Sequence, residues 1–253
     1  MIAILALILF VLLLAVGGER GAVSVMALAG NIIVLSLTVL LLASGWPILL
    51  VMVPAGIAVS YITLVKQNGK NVKAGAAFLA AGIVMGLLFP AVLLVVTQAG
   101  IGGLNEIQAQ QEDVMLYYNV NISIRMVQLA VGVNLLSILG AVLDTTLSVT
   151  SSMYEVMLHK PEITRAELFD SGIQIGKGIT GTTVNTLLFA YLGESILLFS
   201  YVIKMSYSFE TALNSKFLFQ DAAVMLFGAI ACLMAVPISS AAAACIYLPG
   251  KDR

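Results

Sequence analysis

A single acidic residue, Asp144, lies deep inside a long apolar stretch of this 253-residue sequence. If the stretch is helical, Asp144 shares one face with small polar residues at i, i+3 and i+4 spacing. The residues of this stripe are Ser137, Gly140, Asp144, Ser148, Ser151, Ser152 and Glu155. Such a face cannot point at lipid, so we expect it to meet another helix or a water-filled path.

The position of Asp144 predicts coupling chemistry. An ionised carboxylate in hydrocarbon costs about 2.5–3.5 kcal/mol even on the lenient insertion scale, and intramembrane acids are functional by default. Burial favours the protonated form of a carboxylate, whereas polar donors and cations favour the ionised form. Asp144 is therefore predicted to relay protons or bind a small cation, together with Ser148 on its face. The alternative is a hydrogen-bonded Asp that only fixes helix register.

A second polar segment, Ser171–Thr186, supplies the natural partner for Asp144. Together with Gly140, its glycines are predicted to let another backbone approach closely, as in small-xxx-small packing. These glycines are Gly172, Gly176, Gly178 and Gly181. Counted along the two helices from Glu155 and Ser171, Asp144 falls at a depth similar to that of Thr182 and Asn185. We expect hydrogen bonds between them, with Thr183 nearby as a further relay candidate. The alternative for these polar residues is ordinary interhelical contact.

The elements that position these residues are transmembrane helices. Hydrophobic residues form 60% of the chain and charged residues 10%, against about 45–50% and about 25% in soluble domains. Apolar blocks of roughly 20 residues match helices that cross a bilayer. They predict an all-α integral membrane protein of about seven spans in a single domain, 1–253. The predicted spans are about 1–18, 21–44, 46–66, 74–98, 126–152, 173–203 and 221–247.

The orientation follows from the basic residues, which concentrate on the cytoplasmic side of membrane proteins. With the N-terminus outside and the C-terminus inside, nine of the 12 Lys and Arg residues lie inside. Thr164 and Glu167 have the spacing of a capping box, in which each side chain binds a free amide at the helix start. They predict a short interfacial helix at about 164–170 on the inner side.

Several function classes are disfavoured. A net charge of −1 provides no electrostatic footprint for nucleic acid. The one histidine, His159, lies in a loop without ligand neighbours, so we expect no metal site, and we expect no cofactor. An intramembrane aspartyl protease needs two acids at depth, a serine hydrolase needs a base near its nucleophile, and no Walker-type loop is present. We therefore expect a protein that is not an enzyme and whose main partner is the lipid bilayer.

Three segments resemble the YibE/F family of bacterial multipass membrane proteins: Gly140–Glu155, Glu167–Gly172 and Ile175–Gly193. The resemblance is specific across about 130–193 and extends over the whole chain. The length and the lack of a large outer domain are similar to the shorter, YibF-like member. The resemblance implies a location in the bacterial cell membrane and carries no settled biochemical activity.

A more distant similarity concerns the order of features. A Gly-x-x-x-Asp helix, an inner amphipathic segment and a Gly/Thr-rich helix are similar to one six-helix half of resistance-nodulation-division permeases. The last six spans would correspond to that half, and the proton-relaying Asp would correspond to Asp144. Two departures count against an efflux activity: Thr145 stands where many such pumps have a second Asp, and Ser44–Pro47 replaces the large outer domain.

Because a whole permease of that kind has two halves, the similarity implies a partner, either a second copy or a YibE-like protein. Two functions follow. The first is a subunit of an ion- or proton-coupled permease that acts with the partner half. The second is a non-catalytic membrane subunit that stabilises a YibE-like partner or supports cell-envelope processes.

Overall fold

The computed structural model describes residues 1–103, 105, 125–204, 206–208, 210–211 and 214–248. Within these residues the chain forms six α-helices and no strand, so the predicted all-helical architecture is confirmed. The helices are α1 (Ile2–Ala43), α2 (Ile48–Tyr61, continued by a π-helical turn at Ile62–Lys66), α3 (Val72–Gln98), α4 (Met126–His159), α5 (Arg165–Lys204) and α6 (Lys216–Tyr247).

Most of these helices are long and apolar enough to cross a membrane. Among the described residues, five pass this test: α1, α2 with its π-helical turn, α3, α4 and α6. Helix α5 adds a sixth if its two parts, Arg165–Gly193 and Ser195–Lys204, which meet at 48°, form one span. The chain is therefore built as a multipass membrane protein.

The spans predicted at 1–18 and 21–44 fall together in α1, which is interrupted at Gly18. This residue has φ 54° and ψ −131°, a backbone conformation that glycine adopts at little cost. A side chain at Gly21 would collide with the backbone of Leu13, so the chain approaches itself across the break. A straight helix of 42 residues would be about 63 Å long, roughly twice the hydrocarbon thickness. The number of spans, about seven, stays a prediction.

Helix α6 lies at the centre of the bundle and packs against α3, α4 and α5. Small residues such as Ala231 and Ala235 of α6 and Ala77 and Ala81 of α3 line the main core. Their size lets the helix backbones approach closely, as is usual where lipid replaces water around a bundle. Helix α2 packs on α4, and α1 packs on α2 and its π-helical turn. The first two helices are thus peripheral to the group formed by α3, α4, α5 and α6, which includes the two helices that carry the polar segments.

At one end of the bundle, called here the Lys73 end, polar contacts join α3, α4 and α6. Lys73 Nζ lies 2.9 Å from Glu155 Oε1 and 4.7 Å from the centre of the Tyr154 ring. Tyr154 packs edge-on against Tyr247, with ring centres 5.5 Å apart. The Tyr247 hydroxyl donates a 2.9 Å hydrogen bond to the Thr150 carbonyl. The orientation predicted above would place this end inside the cell.

The opposite end, called here the Lys216 end, is joined in the same way. Lys216 Nζ donates to the Gly102 carbonyl at 2.6 Å. Gln220 Nε2 donates to the Ile101 carbonyl at 2.7 Å. These contacts join the chain after α3 to the first turns of α6.

Helix α5 begins with the capping box predicted at Thr164 and Glu167, and this motif is confirmed. The Thr164 amide donates to Glu167 Oε2 at 3.0 Å, and the Glu167 amide donates to Thr164 Oγ1 at 3.3 Å. The segment expected as a short inner helix at about 164–170 is the first part of α5, which continues without interruption into the polar segment. Both polar segments therefore lie on long, continuous helices.

Candidate functional site

Asp144 lies near the middle of α4, because that helix continues to His159, beyond the predicted end at 152. Its side chain is exposed on the outer surface of the bundle. The two ion pairs among the described residues join Lys73 to Glu155 and Lys160 to Glu167, so neither neutralises Asp144. No described residue donates a hydrogen bond to its carboxylate. A carboxylate at mid-helix is thus left without a partner among the residues that the structure describes.

The stripe that contains Asp144 runs along the outside of α4. Ser137, Gly140 and Asp144 are exposed, and Ser148 is partly buried. Toward the Lys73 end the stripe ends in Glu155, whose carboxylate binds Lys73. Around Asp144 the stripe is therefore not covered by any helix in the described part of the chain.

Helix α5 presents a similar surface. Gly178, Gly181, Thr182 and Asn185 are exposed, whereas Thr183 is partly buried. A Cβ atom at Gly178 or Gly181 would have no atom within 4 Å. We name the set Gly140, Asp144, Gly178, Gly181, Thr182 and Asn185 the Asp144 face, since α4 and α5 are neighbours in contact.

The expected hydrogen bonds between Asp144 and Thr182 or Asn185 are not formed within one chain. Thr182 Oγ1 donates instead to the Ile179 carbonyl of its own helix at 2.8 Å. A hydroxyl in a helix satisfies itself in this way when no other acceptor is near. The Asn185 amide makes no hydrogen bond to a described residue. Both helices turn these groups outward, so the contact prediction was wrong for the isolated chain.

Contacts with α6 show how far along the bundle each part of α5 lies. A Cβ atom at Gly176 would collide with Val236. A Cβ atom at Gly228 would lie 3.6 Å from Leu187. The residues of α5 between Gly176 and Leu187 therefore lie alongside α6 between Val236 and Gly228.

The position of Asp144 along the bundle follows from contacts with α6 in the same way. Cys232, midway between Val236 and Gly228, lies beside Thr145, the residue that follows Asp144. Asp144 is therefore at the depth of Thr182, close to the midpoint of α6. The acceptor on α4 and the polar groups on α5 share one depth without touching.

The glycines of the site fall into two groups. Gly172 and Gly176 face α6, where a Cβ atom at Gly172 would lie 2.5 Å from Ser240 Oγ and one at Gly176 would collide with Val236. Gly140, Gly178 and Gly181 face outward, with no atom within 4 Å of a Cβ placed there. Close approach within the chain thus explains only the first pair.

The sequence reasoning missed two features. Buried hydroxyls of α4 and α6 line the inside of the bundle, and each donates to a carbonyl of its own helix. They are Thr145, Thr146, Ser239 and Ser240. Thr145 and Thr146 follow Asp144 directly, so the step of 100° per residue could have placed them on a different face. The ion pair between Lys73 and Glu155 was also missed, because no local pattern links residues so far apart in sequence.

The chemistry available at the site is that of one carboxylate among hydroxyl and amide groups. Among the residues that the structure describes, no group of three or more His, Cys, Asp or Glu side chains is arranged to hold a metal ion. The His159 ring contacts the Glu155 carbonyl through Nδ1 at 2.8 Å. A lone carboxylate can accept and release a proton, and it can coordinate a small cation with neighbouring oxygens.

Long apolar helices, a core of small residues and a polar face at mid-depth define a multipass helical membrane protein. The family model described as YibE/F-like protein matches residues 5–249. The chain belongs to this family, as the resemblance in Gly140–Glu155 indicated. No curated protein and no solved structure matched the chain.

Proposed function

We propose that the protein is one subunit of an ion- or proton-coupled permease that acts with a partner half, and that Asp144 is its relay group. The observation that carries this proposal is the Asp144 face: an acidic residue and polar groups at one depth, all exposed, with Asp144 and Asn185 lacking a hydrogen-bond partner among the described residues. The coupling ion, or the water around it, would be bound by Thr182, Thr183, Asn185 and Ser148. The protein is not an enzyme in this account.

A carboxylate on the outer surface of a membrane helix is energetically costly. Placing ionised Asp144 against hydrocarbon costs about 2.5–3.5 kcal/mol on the lenient scale. A structural Asp would recover this cost through hydrogen bonds within the chain, yet no described residue donates one to it. The cost is offset only when a proton, a cation, water or another subunit reaches the carboxylate. The charge state and the contacts of Asp144 would therefore depend on the ion gradient or on assembly with another subunit.

The rest of the stripe supports a path from Asp144 to the Lys73 end. Ser148 is partly buried below Asp144, and Glu155 ends the stripe. Glu155 is held by Lys73 at 2.9 Å, which connects the end of the stripe on α4 to α3. A proton or cation that leaves Asp144 along the stripe would pass hydroxyl groups first. It would then reach the carboxylate of Glu155, which is paired with Lys73.

The cellular setting is part of the proposal. We place the protein in the bacterial cell membrane with about seven spans, the N-terminus outside and the Lys73 end in the cytoplasm. Its last six spans would act as one permease half. The second half would be another copy of the chain or a YibE-like protein.

Flux measurements on the purified protein in lipid vesicles test this function. Asp144→Asn keeps the size of the side chain but removes its ability to ionise, so we expect proton or Na⁺ flux to be lost while insertion is retained. The matched control is Asp170→Asn, which removes an exposed acid of α5 near the Lys73 end. Flux should be unchanged in this control.

Full flux in Asp144→Asn would refute the relay. If neither protein carries flux and Asp144→Asn only loses a copurifying partner, the non-catalytic subunit is the better account. In that case the acid serves assembly alone.

A further inference from the structure

The Asp144 face carries both halves of a hydrogen-bonding pair. Asp144 on α4 supplies acceptor oxygens, and Asn185 on α5 supplies two amide hydrogens, as carboxylates and primary amides do in general. Within one chain neither group has a hydrogen-bond partner among the described residues, and both are exposed. A surface that is complementary to itself is the requirement for a symmetric dimer, in which the same patch is used by both copies.

The direction of the two side chains supports this pairing. Side chains on a helix lean toward its N-terminus. Helix α4 starts near the Lys216 end and α5 starts near the Lys73 end. The Asp144 side chain therefore leans toward the Lys216 end. Asn185 lies about one turn nearer the Lys216 end than Thr182, and its side chain leans toward the Lys73 end. The two groups converge on one depth.

A two-fold axis along the membrane normal keeps every residue at its own depth. It can therefore bring α4 of one copy against α5 of the other, so that Asp144 and Asn185 meet twice. The open glycines remove the steric obstacle, since Gly140, Gly178 and Gly181 have no atom within 4 Å of a Cβ position. Glycines at helical spacing allow such close approach in membranes.

We propose that a second copy of this chain covers the Asp144 face, with Asn185 of the partner subunit donating to Asp144 and the reverse pair formed at the same time. This inference rests on the proposed function and names the partner of that site. It also explains why the hydrogen bond expected from the sequence is absent within one chain: the donor and the acceptor belong to different copies.

Another exposed face offers small residues without polar groups. Gly82 and Gly86 of α3 are exposed and also have no atom within 4 Å of a Cβ position. Their neighbours on this surface are the apolar side chains Ile83 and Leu87. Lipid can cover such a face at no electrostatic cost, so it provides the matched control.

Cross-linking between two differently tagged copies tests the contact in native membranes. Cys232→Ser and Cys245→Ser remove the two natural thiols, and Gly140→Cys in one copy is combined with Gly181→Cys in the other. A disulfide requires Cα atoms within about 7 Å, so a band that carries both tags is expected. The control pair, Gly82→Cys with Gly181→Cys, should give no such band.

The inference fails if the Gly140→Cys and Gly181→Cys pair gives no doubly tagged band, or if the control pair cross-links equally well. Capture of a different protein by Gly181→Cys, without the second tag, would also overturn it in favour of a hetero-oligomer.

A bulky substitution gives a second measurement that does not depend on thiol chemistry. Gly181→Leu fills open space and should leave the single chain folded but convert the dimer to a monomer in lipid nanodiscs. Gly82→Leu should remain a dimer. A dimer in both variants would contradict the proposed interface. Because these experiments measure contact only, a dimer without ion flux would refute the proposed function and leave this inference standing.

Discussion

Two parts of α5 carry glycines at helical spacing and yet behave differently. Gly172 and Gly176 lie against α6, where Ser240 and Val236 occupy the space beside them. Gly178 and Gly181, less than two turns further along, open onto the outer surface with nothing within 4 Å. The first pair holds the fold together, whereas the second pair leaves room that the chain itself does not fill. The difference separates residues needed for folding from residues available for function.

The largest expected effect breaks the filled contact. Gly176→Leu places a side chain where Val236 already lies, and a close-packed interior tolerates such overpacking poorly. We expect loss of folded protein after solubilisation, measured as the monodisperse fraction by size-exclusion chromatography. Gly178→Leu, two residues away, is the matched control and should still yield folded protein. Equal loss in both variants would show that the space beside Gly178 is occupied by other atoms of the folded chain.

A smaller effect separates neighbouring residues of α4. Thr145 is buried and donates to the Ala141 carbonyl at 2.8 Å, whereas Asp144 is exposed. Thr145→Val should lower the stability by about 0.5–1.5 kcal/mol, the usual net value of one hydrogen bond, and leave ion flux intact. Asp144→Asn should leave the stability unchanged and abolish ion flux. Thermal unfolding and vesicle flux of both variants measure this contrast, and a stability loss without flux loss in Asp144→Asn would contradict the assignment.

The smallest effect concerns the Lys73 end. Lys73→Met removes the ion pair with Glu155 and the contact with the Tyr154 ring. We expect a slight loss of thermal stability, since exposed ion pairs contribute little, together with a change in flux rate if this pair controls the end of the stripe. Lys160→Met removes the other described ion pair, with Glu167, and should leave the rate unchanged. Identical rates in both variants would limit the path to the residues around Asp144.

Much of this arrangement could be predicted from the sequence because it depends on local periodicity. Hydrophobic blocks gave the helices, the i, i+3 and i+4 rule placed Ser137, Gly140 and Asp144 on one face, and the capping box located the start of α5. Periodicity states which residues share a face, however, and not which neighbour covers it. The outward direction of the Asp144 face therefore required the packing of α4 and α5 on α6.

Other features depended on tertiary structure for different reasons. The turn of the chain at Gly18 depends on a φ of 54° that composition does not specify, and the two spans predicted on either side of it stay a prediction. The pairing of Lys73 with Glu155 joins helices that are distant in sequence. Asp144 lies near the middle of α4, rather than toward the inner end of the span predicted at 126–152, because the helix continues to His159.

Infrared difference spectroscopy on the protein in lipid tests the central claim most directly. A step in pH or in Na⁺ concentration should produce a carboxyl signal from protonation or cation binding at Asp144. The signal should vanish in Asp144→Asn and persist in Asp170→Asn. A carboxyl signal of equal size in wild type and Asp144→Asn would contradict the account, because the responding group would then lie elsewhere in the chain.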